Sequence, residues 1–147
     1  MTVQEQISEY INKQPESQKA DLQELHRIIL ELMPDCKLMF TDDESPTFSY
    51  VGIGYGLRFT ENMNGKIREQ PKIEMHAGSY GITVAIHELH DKTYLMRTFG
   101  KKIGEASITG FFIKFKALKD INIEIFKEII RYGNKKNLIS SCNGNIK

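Results

Sequence analysis

The sequence has few of the residues that mark several common protein classes. It holds 2 cysteines and 4 prolines among 147 residues, and Cys36 and Cys142 stand far apart. Two such cysteines are too few for a disulfide framework, and they form no Cys-x-x-Cys motif for zinc or redox chemistry. Basic and acidic side chains number 20 and 19. The charge excess typical of polyanion-binding proteins is therefore missing, and nucleic acid is not an expected partner.

Long apolar segments are also missing. No stretch approaches the roughly eighteen consecutive apolar residues that a membrane-spanning helix needs, and the first residues lack the basic and apolar regions of a signal peptide. We therefore predict a cytoplasmic protein with reduced thiols and no membrane partner. Acidic residues predominate over the first eighty positions and basic residues over the remainder. These halves either form two oppositely charged faces or interleave in the fold.

What is present indicates an ordinary globular domain, with 40% hydrophobic and 27% charged residues. Thr2 and Glu5 fit a capping box at the start of a first helix. A second helix follows Pro15, and Pro34 ends it. Its apolar residues recur three and four positions apart, which predicts one buried face: Leu22, Leu25, Ile28, Ile29, Leu32 and Met33.

The middle of the chain changes to the alternation typical of strands. Strands are predicted over residues 47–59, 72–76, 81–86 and 108–115, and Asn64-Gly65 predicts a tight turn. A helix is expected after Asp91, with a left-handed Gly100 at its end. A final helix, capped by Asp120 or Asn122, should end at Gly133. The order of elements predicts a single α+β domain over residues 1–133, with an N-terminal helix pair and a C-terminal helix packed on an antiparallel or mixed sheet. We predict that residues 134–147 form a flexible tail.

Two clusters suggest metal ligands. In His87-Glu88-Leu89-His90-Asp91, histidines three apart share a face if the segment is helical, and imidazole suits iron or zinc. Alternatively, this segment is a polar connection between a strand and a helix. The second cluster, Asp42, Asp43 and Glu44, supplies the oxygen ligands that hard cations prefer. The alternative there is an ordinary solvated acidic loop.

A third cluster suggests an anion site. Arg97, Lys101 and Lys102 lie near two glycines, Gly100 and Gly104, whose backbone N–H groups can converge on an anion. The alternative is that these cations complement the C-terminus of a helix. His26, on the second helix, is expected on the solvent side. The residues indicate no catalytic triad.

Three stretches together resemble the YdhG-like proteins, a bacterial family mostly of unknown function. They are residues 22–29 running into Met33-Pro34, residues 51–56, and residues 94–104 followed by 118–121. The resemblance implies a compact α+β domain with its sheet packed against the helices. Some members are regarded as frataxin-like iron chaperones, so it also implies possible iron binding. It brings no agreed catalytic residues.

These observations favour a non-enzymatic cytoplasmic binding protein of YdhG-like fold that takes a small ligand or a metal ion. One alternative is a frataxin-like iron-binding chaperone, for which His87, His90, Asp42, Asp43 and Glu44 are the residues to test. The other is a small-anion-binding protein or enzyme built on Arg97, Lys101 and Lys102.

Overall fold

The computed structural model describes residues 1–44, 49–61, 63–79, 81–87 and 91–146, excluding the side chains of residues 43, 44, 49, 50 and 135–146. Within these residues the helices are α1 (Val3–Asn12), α2 (Glu16–Leu32), α3 (Tyr94–Phe99) and α4 (Ile123–Ile146). The strands are β1 (Leu38–Glu44), β2 (Ser49–Glu61), β3 (Ile67–Gly78), β4 (Gly81–Ile86), β5 (Ser107–Thr109) and β6 (Phe112–Phe115). A 3₁₀ turn, Leu118–Asp120, precedes α4.

The strands form one sheet in the order β1-β2-β3-β4-β6-β5, and each described pair is antiparallel. The predicted α+β single-domain class is confirmed. The strands of the acidic half, β1 to β3, lie side by side, and those of the basic half, β4 to β6, complete the other side. However, α4 of the basic half packs against β2 and β3 of the acidic half, so the two halves of the chain interleave in the fold.

The helices pack on one face of the sheet. Residues directly opposite each other in an antiparallel pair share a face, and the pair Ile53 and Met75 is completely buried. The apolar face of α2 contributes Leu22, Leu25 and Ile29 to the same core. No described helix is long and apolar enough to cross a membrane.

Several local predictions are confirmed. Thr2 and Glu5 form the capping box, since each side chain accepts from the other residue's backbone N–H. Gly65 has φ +80°, as the predicted Asn-Gly turn requires. The side chain of Asn122 accepts from the backbone N–H groups of Glu124 and Ile125, and so caps the start of α4.

The acidic cluster lies in a strand and not in a loop. Asp42, Asp43 and Glu44 were expected in a loop, but they lie in the edge strand β1, paired with Val51, Tyr50 and Ser49. An edge strand tolerates charged residues because one side of its backbone faces no neighbouring strand, and charges there discourage aggregation. The preceding Leu38 and Phe40 pack against the core, which fixes the strand in place.

Two predictions at glycines were wrong. Residues 108–115 form two short strands instead of one, because Gly110 adopts φ +58° and turns the chain between β5 and β6. Gly100 ends α3 as expected, but with ordinary helical angles of φ −56° and ψ −35°.

The end of the last helix was also predicted wrongly. The structure continues α4 past Gly133 to Ile146. A Cβ on Gly133 would lie 2.8 Å from Cγ2 of Ile86, so this glycine allows the helix to approach the sheet closely and does not terminate it. The flexibility of residues 134–147 stays a prediction.

Candidate functional site

A cleft of about 450 Å³ lies between α1, α2 and the start of β1. Its apolar lining residues are buried or half-buried, whereas its amide and hydroxyl side chains are exposed. The lining comprises Gln4, Ile7, Ser8, Ile11, Asn12, Gln23, His26, Leu30 and Leu38. None of these side chains is a carboxylate, an amine or a guanidinium. The cleft therefore combines an apolar interior with neutral polar groups at its mouth, as small-molecule sites commonly do.

His26 is the titratable group of this cleft, and a buried tyrosine holds it. The phenol oxygen of Tyr55 lies 2.7 Å from Nδ1 of His26, and Tyr55 is completely buried in β2. A buried hydroxyl proton needs an acceptor, and Nδ1 is the acceptor that the described residues provide. We therefore assign the hydrogen bond as Tyr55 donating to Nδ1, which leaves the imidazole proton on Nε2.

Burial determines the protonation of both partners. It lowers the pKa of His26 below its ordinary value of 6.5, and it raises the pKa of Tyr55 well above its ordinary value. Both groups are accordingly neutral near pH 7. The cleft thus offers a ligand one neutral imidazole, and the hydrogen bond from the buried Tyr55 fixes the orientation of that ring.

The contact between His26 and Tyr55 was not predicted from the sequence. His26 was expected on the solvent side of α2, but it is half-buried. One signal was available, because His26 follows the buried Leu22 by four residues and precedes the buried Ile29 by three, which places it beside the apolar stripe. Nothing local indicated Tyr55 as its partner, since the two residues are 29 positions apart.

The predicted metal ligand His87 lies on the connection after β4 and not on a helix. Its Nε2 is 2.6 Å from Oε1 of Glu74 in β3, and both side chains are largely buried. This placement agrees with the alternative of a polar strand-to-helix connection. His90 lies outside the described residues. The contact between Glu74 and His87 was not predicted, because the sequence does not give the register of β3 against β4.

The two predicted metal clusters are far apart. One row of paired residues crosses β1 to β4 and consists of Leu38, Tyr55, Ile73 and Ile86. Asp42 lies four residues beyond Leu38 along β1. Strand spacing and rise place Asp42 about 20 Å from His87. Asp42 is exposed, whereas the side chains of Asp43 and Glu44 are outside the description. Among the described side chains, no three His, Cys, Asp or Glu residues converge as a metal site would require.

The predicted anion cluster lies at the end of α3. Arg97 forms an ion pair with Asp91, and its Nε donates to the hydroxyl of Thr93 at 2.9 Å. The hydrogen bonds from Thr93, together with Arg97, lower the pKa of Asp91. Lys101 and Lys102 are exposed in the following turn.

Most backbone amides of that turn are already used within the fold. The N–H groups of residues 100, 102, 103, 105 and 106 all donate to backbone carbonyls. Gly104 has φ +100°, and a Cβ there would lie 2.6 Å from the carbonyl oxygen of Asp120. Its conformation therefore serves close packing against the chain before α4. An anion at this turn would depend mainly on the two lysine side chains.

Comparison with family models, curated proteins and solved structures gives no match to this chain. The resemblance to the YdhG-like proteins stays a prediction.

Proposed function

We propose that the protein is a non-enzymatic cytoplasmic binding protein, which holds a small uncharged ligand in the cleft between α1 and α2. The observation that carries this proposal is the neutral, half-buried His26 held at 2.7 Å by Tyr55 in a lining without ionised groups. A charged ligand would lose its hydration without gaining an opposite charge. A neutral ligand with an apolar body and one hydrogen-bond acceptor suits this lining.

Three probes of nearly equal shape test the proposal: benzamide, benzoate and benzylamine. We expect benzamide to shift the NMR signals of Ile7, His26 and Leu38 and to bind more tightly than either charged probe. His26→Ala should weaken benzamide binding roughly fivefold, as the loss of one hydrogen bond predicts. His76→Ala is the matched control, because His76 lies in β3 outside the cleft lining. Equal binding of all three probes, or signal shifts confined to other regions, would contradict the proposal.

The second candidate is the frataxin-like iron-binding function, with iron as cargo. The hydrogen-bonded pair of His87 and Glu74 would supply two of the ligands for this function, because imidazole and carboxylate both suit iron. An anaerobic Fe²⁺ titration should then show saturable binding that is lost in His87→Ala. Loss in the triple alanine variant of Asp42, Asp43 and Glu44 would place the ion on β1 instead. Binding no stronger than that of an unrelated acidic protein excludes this function.

The third candidate is the anion-binding function at Lys101 and Lys102, supported by their exposure in one turn. Inorganic phosphate should raise the melting temperature, and the effect should vanish in Lys101→Ala/Lys102→Ala. Because Arg97 already pairs with Asp91, Arg97→Ala should change the phosphate effect less than the double variant does. Stabilisation that persists without the two lysines would place the phosphate elsewhere.

A further inference from the structure

Another cleft, of about 460 Å³, lies at the sheet edge opposite to β1. It is formed by the start of β5, the end of β6 and the 3₁₀ turn before α4. Its lining comprises Glu105, Ala106, Ser107, Lys114, Phe115, Lys116 and Asp120. A cleft of this size is large enough for a small molecule. It shares no lining residue with the cleft between α1 and α2.

The lining holds charged residues of both signs that do not neutralise one another. The acids are Glu105 and Asp120, and the bases are Lys114 and Lys116. In the part of the chain that the structure describes, no ion pair joins either acid to either base. Acidic and basic side chains that approach one another elsewhere do pair, as Arg97 does at α3. The charges of this cleft are therefore available to a ligand.

The fold brings the two acids side by side. Gly104 and Ile121 form an isolated antiparallel bridge, and the N–H of Glu105 donates to the carbonyl oxygen of Asp120 at 2.9 Å. Like charges at facing positions destabilise an antiparallel pair. Asp120 is half-buried, and its carboxylate accepts no hydrogen bond from the described residues. An ammonium group bound between the two carboxylates would relieve their repulsion.

The two lysines belong to the end of β6. Lys114 and Lys116 are two positions apart along an extended segment, so they lie on the same face. Ser107 lies directly opposite Lys114 and adds a hydroxyl group. Ala106 is half-buried and Phe115 is buried, so the floor of the cleft is apolar. This side of the cleft suits a carboxylate that is attached to a short apolar chain.

We propose that this cleft binds a small zwitterion of the α-amino acid class. The ammonium group of the ligand lies between the carboxylates of Glu105 and Asp120. Its carboxylate lies beside Lys116, and its apolar side chain covers Ala106. A ligand with a single charge would meet two like charges here as well as two opposite ones, whereas a zwitterion presents each sign to its complement. The lining therefore selects a ligand that carries both charges.

Three probes of nearly the same carbon skeleton test the proposal on the full chain. Leucine carries both charges, 3-methylbutylamine lacks the carboxylate, and 4-methylpentanoate lacks the ammonium group. We expect leucine to shift the NMR signals of Ala106, Ser107 and Lys116 saturably. It should bind roughly fivefold more tightly than either singly charged probe, and added salt should weaken its binding. The signals of Ile7 and His26, in the cleft between α1 and α2, should not move.

Variants that remove one charge each separate the two halves of the ligand. Asp120→Asn should weaken leucine binding roughly fivefold and should not weaken 4-methylpentanoate binding, because that probe has no ammonium group. Lys116→Gln should weaken leucine binding by a similar factor and should not weaken 3-methylbutylamine binding. Lys119→Gln and Glu128→Gln are the matched controls, because both residues are exposed and lie outside the lining. Both control variants should bind leucine as the natural chain does.

The comparison of probes and variants decides the proposal. A singly charged probe that binds as tightly as leucine would overturn it, because the cleft would then recognise only one sign of charge. Leucine binding that is unchanged in both Asp120→Asn and Lys116→Gln would place the ligand elsewhere, as would signal shifts confined to Ile7 and His26. The absence of saturable leucine binding would also overturn it. Circular dichroism checks that the variants fold, as substitutions of exposed or half-buried charges should allow.

Discussion

Gly104 and Gly110 both have positive φ, at +100° and +58°, but their surroundings differ. A Cβ on Gly104 would meet the carbonyl oxygen of Asp120 at 2.6 Å, whereas a Cβ on Gly110 would meet nothing within 4 Å. The first position combines backbone strain with a steric conflict. The second involves strain alone, in a region that other residues enter at moderate cost.

We therefore predict that Gly104→Ala lowers the free energy of unfolding by about 3 kcal/mol, and that Gly110→Ala lowers it by about 1 kcal/mol. Urea unfolding of both variants, followed by circular dichroism, measures the difference. Equal losses at the two positions would show that the close approach to Asp120 contributes nothing to stability.

His26 gives the stability a pH dependence of defined sign. Burial lowers its pKa in the folded protein, so between the folded and unfolded pKa values the unfolded chain binds more protons. The buried, neutral His26 therefore contributes to stability above pH 6.5, the ordinary pKa of histidine. This contribution is lost as the pH falls below that value. Burial lowers the pKa of His76 as well, so His76 adds to the effect in the same direction.

We expect His26→Asn to lose less stability than the natural chain between about pH 7.5 and about pH 5.5, because Asn retains an acceptor for Tyr55 but does not titrate. Urea unfolding at both pH values measures the change. Gln23→Ala, on the exposed side of the same helix, should retain the natural pH dependence. An unchanged pH dependence in His26→Asn would show that other groups account for it.

At the scale of elements, α1 depends on its N-terminal cap. It is a short helix, and short helices are marginal without packing or caps. Thr2→Ala removes the hydroxyl that accepts from Glu5 at 3.1 Å, and should lower the free energy of unfolding by about 1 kcal/mol. Thermal unfolding measures the loss. Ser17→Ala, at an exposed position in the first turn of α2, is the control and should change stability little.

The edge strand β1 was not predicted, because its sequence does not alternate between apolar and polar residues along its whole length. Its first residues, Leu38 and Phe40, point to the core, and Tyr10 packs edge-on against Phe40 with ring centroids 5.7 Å apart. The acids that follow obscure the alternation on which a strand prediction rests. Pairing with β2, which the local sequence does not encode, supplies the missing stabilisation.

At the scale of the whole molecule, one core joins the sheet to α1, α2 and α4. The described core residues of α4, namely Phe126, Ile129 and Ile130, precede Gly133. A chain ending at Gly133 should therefore fold cooperatively, with a free energy of unfolding within about 1 kcal/mol of the full chain. Urea unfolding of the two chains checks this. A chain ending at Ile125 lacks those residues and should not fold, whereas a strongly destabilised chain at Gly133 would show that residues 134–147 contribute to the domain.

The sequence alone determined the features that neighbouring residues control. The capping box, the apolar face of α2 and the Asn-Gly turn depend on spacing within a few residues, and local backbone geometry responds to that spacing directly. The α+β class follows from the order of the elements that such local patterns predict. Tertiary structure alone decided that Tyr55 supports His26, that Glu74 meets His87, and that Gly133 lies within a helix against Ile86. Each of these contacts joins segments whose mutual approach depends on strand register and helix docking, which arise only when the entire core is buried.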